Sequence, residues 1–340
     1  MNRLQDIFGA ELPVLAAPMA GGPSTPAMVV AAAEAGGFGF LAGGYRTTEE
    51  LGEQIEATRA HTERFGVNLF VPGSGGIATE TYHSYRDRLL PLAERYGVEL
   101  PGQPRLDEDH WRDKVDLLLE AAPSVVSFTF AVPERAAVEA LRRTGIVLAQ
   151  TVTSPDEAAQ AADAGMDVLV VQGAGAGGHS GTFAPERAPI ASTLPDLVQR
   201  IAATTQLALI AGGGIGSSED VRAVLQAGAV AATVGTALLL APEAGTSTTH
   251  RRALVEFSDR PTTITRAFTG RPARGIRNSF IDAHTDAPLG YPAIHHLTQP
   301  IRRATAAANE PEHVHLWAGT SFSKATAQPV VETLRSLADV

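Results

Sequence analysis

The sequence predicts a closed (β/α)8 TIM barrel with a smaller helical cap. Eight short runs are apolar along their whole length rather than alternating, the pattern of parallel strands covered on both faces. A helical stretch follows nearly every run, and eight β-then-α units is the number that closes a barrel. An open doubly wound sheet seldom needs eight such regular units. The 340 residues, 44% of them hydrophobic, suffice for one large domain or for one large and one small.

The strand runs are PVLAA (13–17), FGFLA (38–42), FGVNLF (65–70), VVSFT (125–129), IVLAQT (146–151), DVLVVQ (167–172), LALIAG (207–212) and VAATVG (230–235). Between them lie alanine-rich stretches such as TPAMVVAAAEAG and SPDEAAQAADAG, several opened by a capping Ser or Thr and closed on Gly. Residues 72–122 form a long insertion after the third strand, predicted helical with a proline-rich turn at LPGQPRLDEDHW. Residues 242–316 are richer in Arg, His and Pro and lack parallel-strand runs, which predicts a helical cap near the barrel mouth. The tail QPVVETLRSLADV predicts a closing helix on the barrel wall. The expected organisation is a barrel over 1–241, a cap over 242–316 and a segment over 317–340 that returns to the barrel.

Composition excludes several functions. The net charge is −10 and the 27 Lys and Arg are scattered, so there is no basic face for nucleic acid. The absence of cysteine removes disulfides, thiolate catalysis and cysteine-held metals. The start, MNRLQDIFGAELPVLAAPM, lacks the basic-then-apolar order of a signal peptide, and no run reaches the ~18 apolar residues of a membrane span. A cytoplasmic protein with a small-molecule substrate is the expectation. The histidines of HH (295–296) and EHVH (312–315) lack the spacing of a metal site, so none is expected.

Barrel chemistry sits at the C-terminal ends of the strands, with phosphate groups commonly on the loops after strands seven and eight. Those loops read AGGGIGSSEDV (211–221) and VGTALLL (234–240). Gly212, Gly213 and Gly214 offer bare N–H groups, and a helix starting near Ser217 adds its positive end. Gly235 and Thr236 form a second cradle, and the two together suit one phosphomonoester. VQGAGAGGHSG (171–181) contains GxGxxG, but it follows the sixth strand and no acidic residue marks a ribose ~20 positions on. Its glycines instead suggest backbone lying flat against a planar ring. Asn68, Gln150 and Gln172, at the ends of three strands, are amides suited to the edge of a polar heterocycle. His179 projects over them, able to take a proton from a weakly acidic carbon or, when protonated, to hold an anion.

AAPMAGGPSTP, FGVNLF, VVQGAGAGGHSG, AGGGI and VGTALL resemble the motifs of the nitronate monooxygenases, formerly called 2-nitropropane dioxygenases. TGRPARGIRN, YP at 291–292 and WAG at 317–319 resemble the C-terminal part of the family's class I branch, so the likeness spans about residues 8–320. It implies a TIM barrel that holds FMN noncovalently. Carried over by motif, Asn68, Gln172, Gly177, Gly178, Gly213, Gly214, Thr233, Val234, Gly235 and Thr236 would contact FMN, with the backbone of Pro18 and Met19 near the flavin ring. His179 would match the family's active-site histidine, either as base toward neutral nitroalkanes or as partner of a bound nitronate. In such enzymes the nitronate gives one electron to FMN and the flavin semiquinone reacts with O2. A carbonyl compound and nitrite result, without nicotinamide.

One departure concerns the substrate. Class I members carry a second tyrosine and a lysine four and eight positions after the tyrosine of YP. Here Tyr291 is followed at those positions by His295 and Gln299, which makes these three the expected substrate-binding set. A lysine attracts a carboxylated nitronate such as propionate 3-nitronate, and a glutamine cannot do so by charge. His296, Arg302, Arg271, Arg274 and Arg277 are the candidates to compensate. Two alternatives remain open. Flavin-dependent enoyl-ACP and quinone reductases share the Gly-Gly-His motif, so an NAD(P)H-dependent reductase of enoyl thioesters or quinones is one. The other is a flavin-binding sensory barrel without chemistry, against which His179 speaks.

Overall fold

The computed structural model describes residues 3–73, 75–187 and 189–340. Eight strands pair in parallel around a closed barrel: β1 (Val14–Ala16), β2 (Phe38–Ala42), β3 (Phe65–Phe70), β4 (Val125–Thr129), β5 (Val147–Val152), β6 (Val168–Gln172), β8 (Ala208–Gly212) and β9 (Ala231–Val234). The eight predicted runs are these eight strands, their ends displaced by at most about one residue. The label β7 belongs to Gly178–His179, which leaves the barrel. The helices are α1 (Arg3–Phe8), α2 (Pro26–Glu34), α3 (Thr48–Arg59), α4 (Thr79–Arg95), α5 (Trp111–Ala121), α6 (Arg135–Arg143), α7 (Pro155–Asp163), α8 (Leu194–Ala202), α9 (Ser218–Gln226), α10 (Thr248–Glu256), α11 (Ser279–Ala283), α12 (Ala293–Ala307) and α13 (Val330–Leu337). Local chemistry starts them. Thr25, Ser154 and Thr193 cap α2, α7 and α8 ahead of a proline in the first turn, and Thr47 with Glu50 forms a capping box on α3.

Alternation along each strand divides two hydrophobic layers. Leu15, Phe38, Phe40, Val125, Ala149, Val168, Ile210 and Ala231 point into the barrel, where α1 plugs the N-terminal end through Phe8, 5.1 Å from Phe38. Val14, Leu41, Val67, Leu148, Leu169, Leu209 and Ala232 point outward to the helices. Because successive side chains face opposite sides, the inward series continues toward the C-terminal ends as Asn68, Ser127, Thr129, Thr151, Gln172 and Thr233. The barrel is therefore oily below and polar above.

The region predicted as a helical cap holds α10, α11 and α12 and also a small antiparallel sheet. Strands β10 (Thr262–Thr265) and β11 (Ala273–Ile276) pair with each other, and β11 pairs with β7. TTIT and ARGI lack an apolar run, so a search for buried parallel strands passes over them. The predicted insertion is helical and divides between two layers. Helix α4 packs on α12, with Tyr82, Tyr85 and Leu89 in one buried cluster with Ile294 and Leu297 of that helix and with Phe268, whereas α5 joins the barrel ring between α3 and α6. Helix α13 closes on α2 and β1. No helix among the described residues is long and apolar enough to cross a membrane.

Phe268 lies at the centre of the cap, fully buried, stacked on Phe280 at 4.5 Å and edge-on to Trp317 at 5.6 Å. Phe268→Ala leaves a cavity there. The expected cost is about 3–5 kcal/mol, read as a lower urea midpoint.

Candidate active site

A cavity of about 630 Å³ opens above the polar layer of the barrel, within the range of small-molecule and cofactor sites. Its floor is Asn68, Ser127, Thr129, Thr151, Gln172 and Thr233, and one wall is the loops Gly212–Ile215 and Val234–Thr236. The roof comes from the cap and the C-terminal segment, with Thr269, His295, Gln299, Arg302, His315 and Trp317.

His179 hangs between floor and roof. Residue β7 pairs place Gly178 opposite Arg274 and His179 opposite Ala273. Gln172 clamps the ribbon from below, donating from Nε2 to His179 O (3.1 Å) and accepting at Oε1 from Gly181 N (2.7 Å). The imidazole lies 5.8 Å from the rings of Phe130 and Tyr291 and 5.6 Å from Trp317, with Nε2 2.9 Å from Thr269 Oγ1. Burial lowers its pKa to about 3, helped by the guanidinium groups of Arg271 and Arg302. The ring is neutral at any working pH.

The glycine loops supply donors. The N–H groups of Gly213, Gly214, Gly235 and Thr236 engage no partner in the hydrogen bonds of the described residues. Gly213, at φ +122°, is held where an added Cβ would lie 2.8 Å from Gly173 O, so only glycine fits this turn. The N-terminus of α9 contributes less than its dipole suggests. Asp220 accepts from Gly216 N (2.9 Å) and Ser217 Oγ (3.0 Å), and so brings a carboxylate to that end.

Most of the expected residues converge. Pro18, Met19, Asn68, Gln172, Gly177, Gly178, His179, Gly213, Gly214, Thr233, Val234, Gly235, Thr236, His295 and Gln299 all line the cavity. Gln150 does not. It shares the outward parity of Leu148 and Val152, and its buried amide donates to the carbonyls of Phe128 and Thr151. Thr151, the inward neighbour, takes the place on the floor. Tyr291 stands one layer back, against His179 and Phe130 and with its hydroxyl toward Tyr45. Among the glycines of 173–181, expected to lie against a flat ligand, Gly177 and Gly178 line the cavity. An added Cβ on Gly177 would lie 2.6 Å from the Ala318–Gly319 peptide, so this backbone lies against the protein's own C-terminal segment.

Of the candidate compensating charges, only Arg302 lines the cavity. His296 pairs with Asp107 at 2.8 Å. Arg271 donates to the carbonyls of Ser180 and Thr182 and sits 3.9 Å over the Phe130 ring. Arg274 holds Ala174 O at 2.7 Å, and Arg277 pairs with Asp282 at 2.7 Å. Sequence reasoning missed Tyr45, Thr269 and His250. Tyr45 had a signal in Gly43-Gly44 at the end of the second strand, the same glycine signature as the other site loops. Thr269 had none.

A family model described as nitronate monooxygenase matches residues 1–339. A probable nitronate monooxygenase of Staphylococcus aureus is 34% identical over 335 residues, covering 96% of this chain and 94% of that one. Among solved structures, a nitroalkane oxidase from Streptomyces ansochromogenes superposes with a TM-score of 0.92 at 39% identity, covering 98% of this chain and 96% of the other. FabK from Thermotoga maritima superposes with a TM-score of 0.77 at 23% identity, covering 98% and 94%, a likeness of fold alone.

The neutral histidines set a pH dependence. Burial lowers His179 to about 3 and His250 to about 4, both below the ordinary 6.5 of the unfolded chain. The unfolded state therefore binds more protons below pH 6.5, and the stability these rings contribute is complete above that pH and lost as it falls. Each ring removes at most about 1.4 kcal/mol per pH unit over this window. Urea midpoints at pH 6.5, 5.5 and 4.5 should fall less steeply for His179→Asn than for the unsubstituted chain.

Proposed function

Because the chain belongs to the nitronate monooxygenase family, and is thereby an oxidoreductase of nitronates or nitroalkanes, we propose that it oxidises alkyl nitronates with FMN and O2, releasing a carbonyl compound and nitrite. The observation that carries this reading is a neutral His179 facing a cavity whose wall offers four uncommitted backbone N–H groups.

The residues fit FMN. Gly213 and Gly214 on one loop, with Gly235 and Thr236 on the next, would receive its phosphate, as bare N–H groups at strand ends receive anions. Asn68 donates from Nδ2 to Ser127 and Thr129, which leaves its Oδ1 for a ring N–H. The Gln172 amide is spent on the His179 ribbon, so this residue acts by positioning. Bound there, FMN would supply the electron acceptor and the route from substrate to oxygen.

His179 favours a substrate that is already ionised. A group held neutral down to pH about 3 has little affinity for a proton, which makes it a poor base toward a neutral nitroalkane. As a neutral ring fixed by Thr269 and caged by Phe130, Tyr291 and Trp317, it orients a nitronate and keeps water from one side of it. Propionate 3-nitronate is the probe with which to begin.

The protein mixed with FMN should retain a yellow colour through gel filtration. Under nitrogen, propionate 3-nitronate should change the flavin absorbance and NADPH should not. Removing one hydrogen bond to a charged substrate costs about 10–100-fold, and His179→Ala should lower kcat/KM by that much. Bleaching by NADPH alone would move the protein to the reductases, and failure to take up FMN would end the reading.

A further inference from the structure

Arg302 is a buried cation without a counter-ion among the described residues. Its residue is 5% exposed, on the face of α12 that lines the cavity. Nε donates to Thr298 Oγ1 at 3.0 Å and Nη2 to His295 O at 2.9 Å. The other contacts are long and go to imidazole nitrogens: 3.3 Å to His295 Nδ1 and 3.4 Å to His315 Nδ1. The acceptors are all neutral. Of the other buried cations, Lys114 has Asp109 at 2.9 Å, and Arg271, which does not line the cavity, is spent on the carbonyls of Ser180 and Thr182; no carboxylate pairs with Arg302 among the described residues.

Such a charge is costly to bury and is ordinarily paired. The rest of the cavity does not provide for it. His179 and His295 are neutral, Gln299 one turn earlier on α12 is an amide, and Glu50 is an exposed side chain. What remains is an anion that enters from solution. The Arg302 guanidinium is a planar fork suited to the two oxygens of a planar anion.

We propose that Arg302 is the specificity-determining residue of this cavity, selecting the anionic nitronate over the neutral nitroalkane of the same carbon skeleton. This rests on the reading above that nitronates are the substrates. It assigns to α12, three positions beyond Gln299, the positive charge that Gln299 lacks. His295 and His315 serve as positioning residues, since they hold the guanidinium at its sides.

The test compares ethylnitronate with freshly dissolved nitroethane on the FMN-loaded protein and its Arg302→Met, Arg302→Gln and Arg302→Lys variants. Truncating one member of a buried charge pair costs on the order of 100-fold. Arg302→Met and Arg302→Gln should lose about that in kcat/KM for ethylnitronate and less than about threefold for nitroethane, with Arg302→Lys between. A second measurement uses inorganic nitrate, a planar anion with no electrons to give. It should raise the melting temperature of the unsubstituted protein and perturb its flavin spectrum, and do neither in Arg302→Met. Equal losses for both substrates would overturn the proposal, since the residue would then act on the fold or the cofactor. An unchanged ratio with full activity, or undiminished nitrate binding, would do the same. Should the unsubstituted protein oxidise neither compound, the functional reading fails, and the nitrate titration still decides whether Arg302 holds an anion.

Discussion

The site depends on the two-residue antiparallel pairing of β7 with β11. Two residue pairs would not persist in water by themselves. They persist because each end is tied to a different layer. Gln172 grips the ribbon from the barrel, Ser180 N bonds Pro272 O at 2.8 Å, and Arg274 reaches back to Ala174 O. Gly177 lets the Ala318–Gly319 peptide come within contact, and Gly319 N donates to Thr236 Oγ1 at 3.0 Å. Barrel, cap and C-terminal segment thus meet around His179. Gly175 and Gly177 of VQGAGAGGHSG serve this junction, and the cavity is what the junction leaves open.

Electrostatics inside the cavity runs against that of the surface. The chain carries a net charge of −10, which repels a small anion at long range. The deep rings do not attract one either, because burial holds His179, His295 and His315 neutral. Of the two buried arginines above the barrel, Arg271 lies near the carboxylate of Glu157, which itself fixes Thr182 and Phe183. Among the described residues Arg302 has no such neighbour, and its pKa of about 10 keeps it charged. Any attraction for an anion is therefore local, felt inside a low-dielectric chamber where one charge counts for more than several at the surface.

The barrel was legible because its strands are apolar on both faces, as parallel strands covered on both sides are, and because the units number eight. The two glycine loops of the cavity wall were legible because glycines at adjacent strand ends leave N–H groups uncommitted. Gln150 was misplaced for a reason the sequence contains. Counting by twos from Ala149 shows that Thr151 faces inward and Gln150 outward. The antiparallel ribbon in the cap was not legible, since TTIT pairs with ARGI, and ARGI in turn with a two-residue partner, Gly178–His179, far earlier in the chain. Thr269 reaches His179 only through that ribbon and the cap's packing, so no local pattern marks it, whereas Tyr291, marked by its YP motif, stands against the His179 ring.

The insertion after β3 enters the same arrangement through a buried ion pair. Lys114 Nζ meets Asp109 Oδ2 at 2.9 Å and Gly43 O at 2.9 Å, and Asp109 Oδ1 accepts from Tyr45 N at 3.0 Å. Burial raises the Asp109 carboxyl and lowers the Lys114 ammonium, and each is drawn back by the other. Such a pair adds little net stability compared with apolar packing, and its value lies in fixing a geometry. The geometry here is Tyr45 at φ 67°, a left-handed conformation that costs a non-glycine residue about 1 kcal/mol or more. Held there, the Tyr45 ring stacks on His295 at 4.2 Å with the planes 3° apart. The His295 carbonyl in turn receives Arg302. The insertion therefore reaches the cavity through strained backbone, a stacked ring and a carbonyl, and the ion pair stabilises the position of Arg302, the buried one of the arginines that line the cavity, rather than the fold at large.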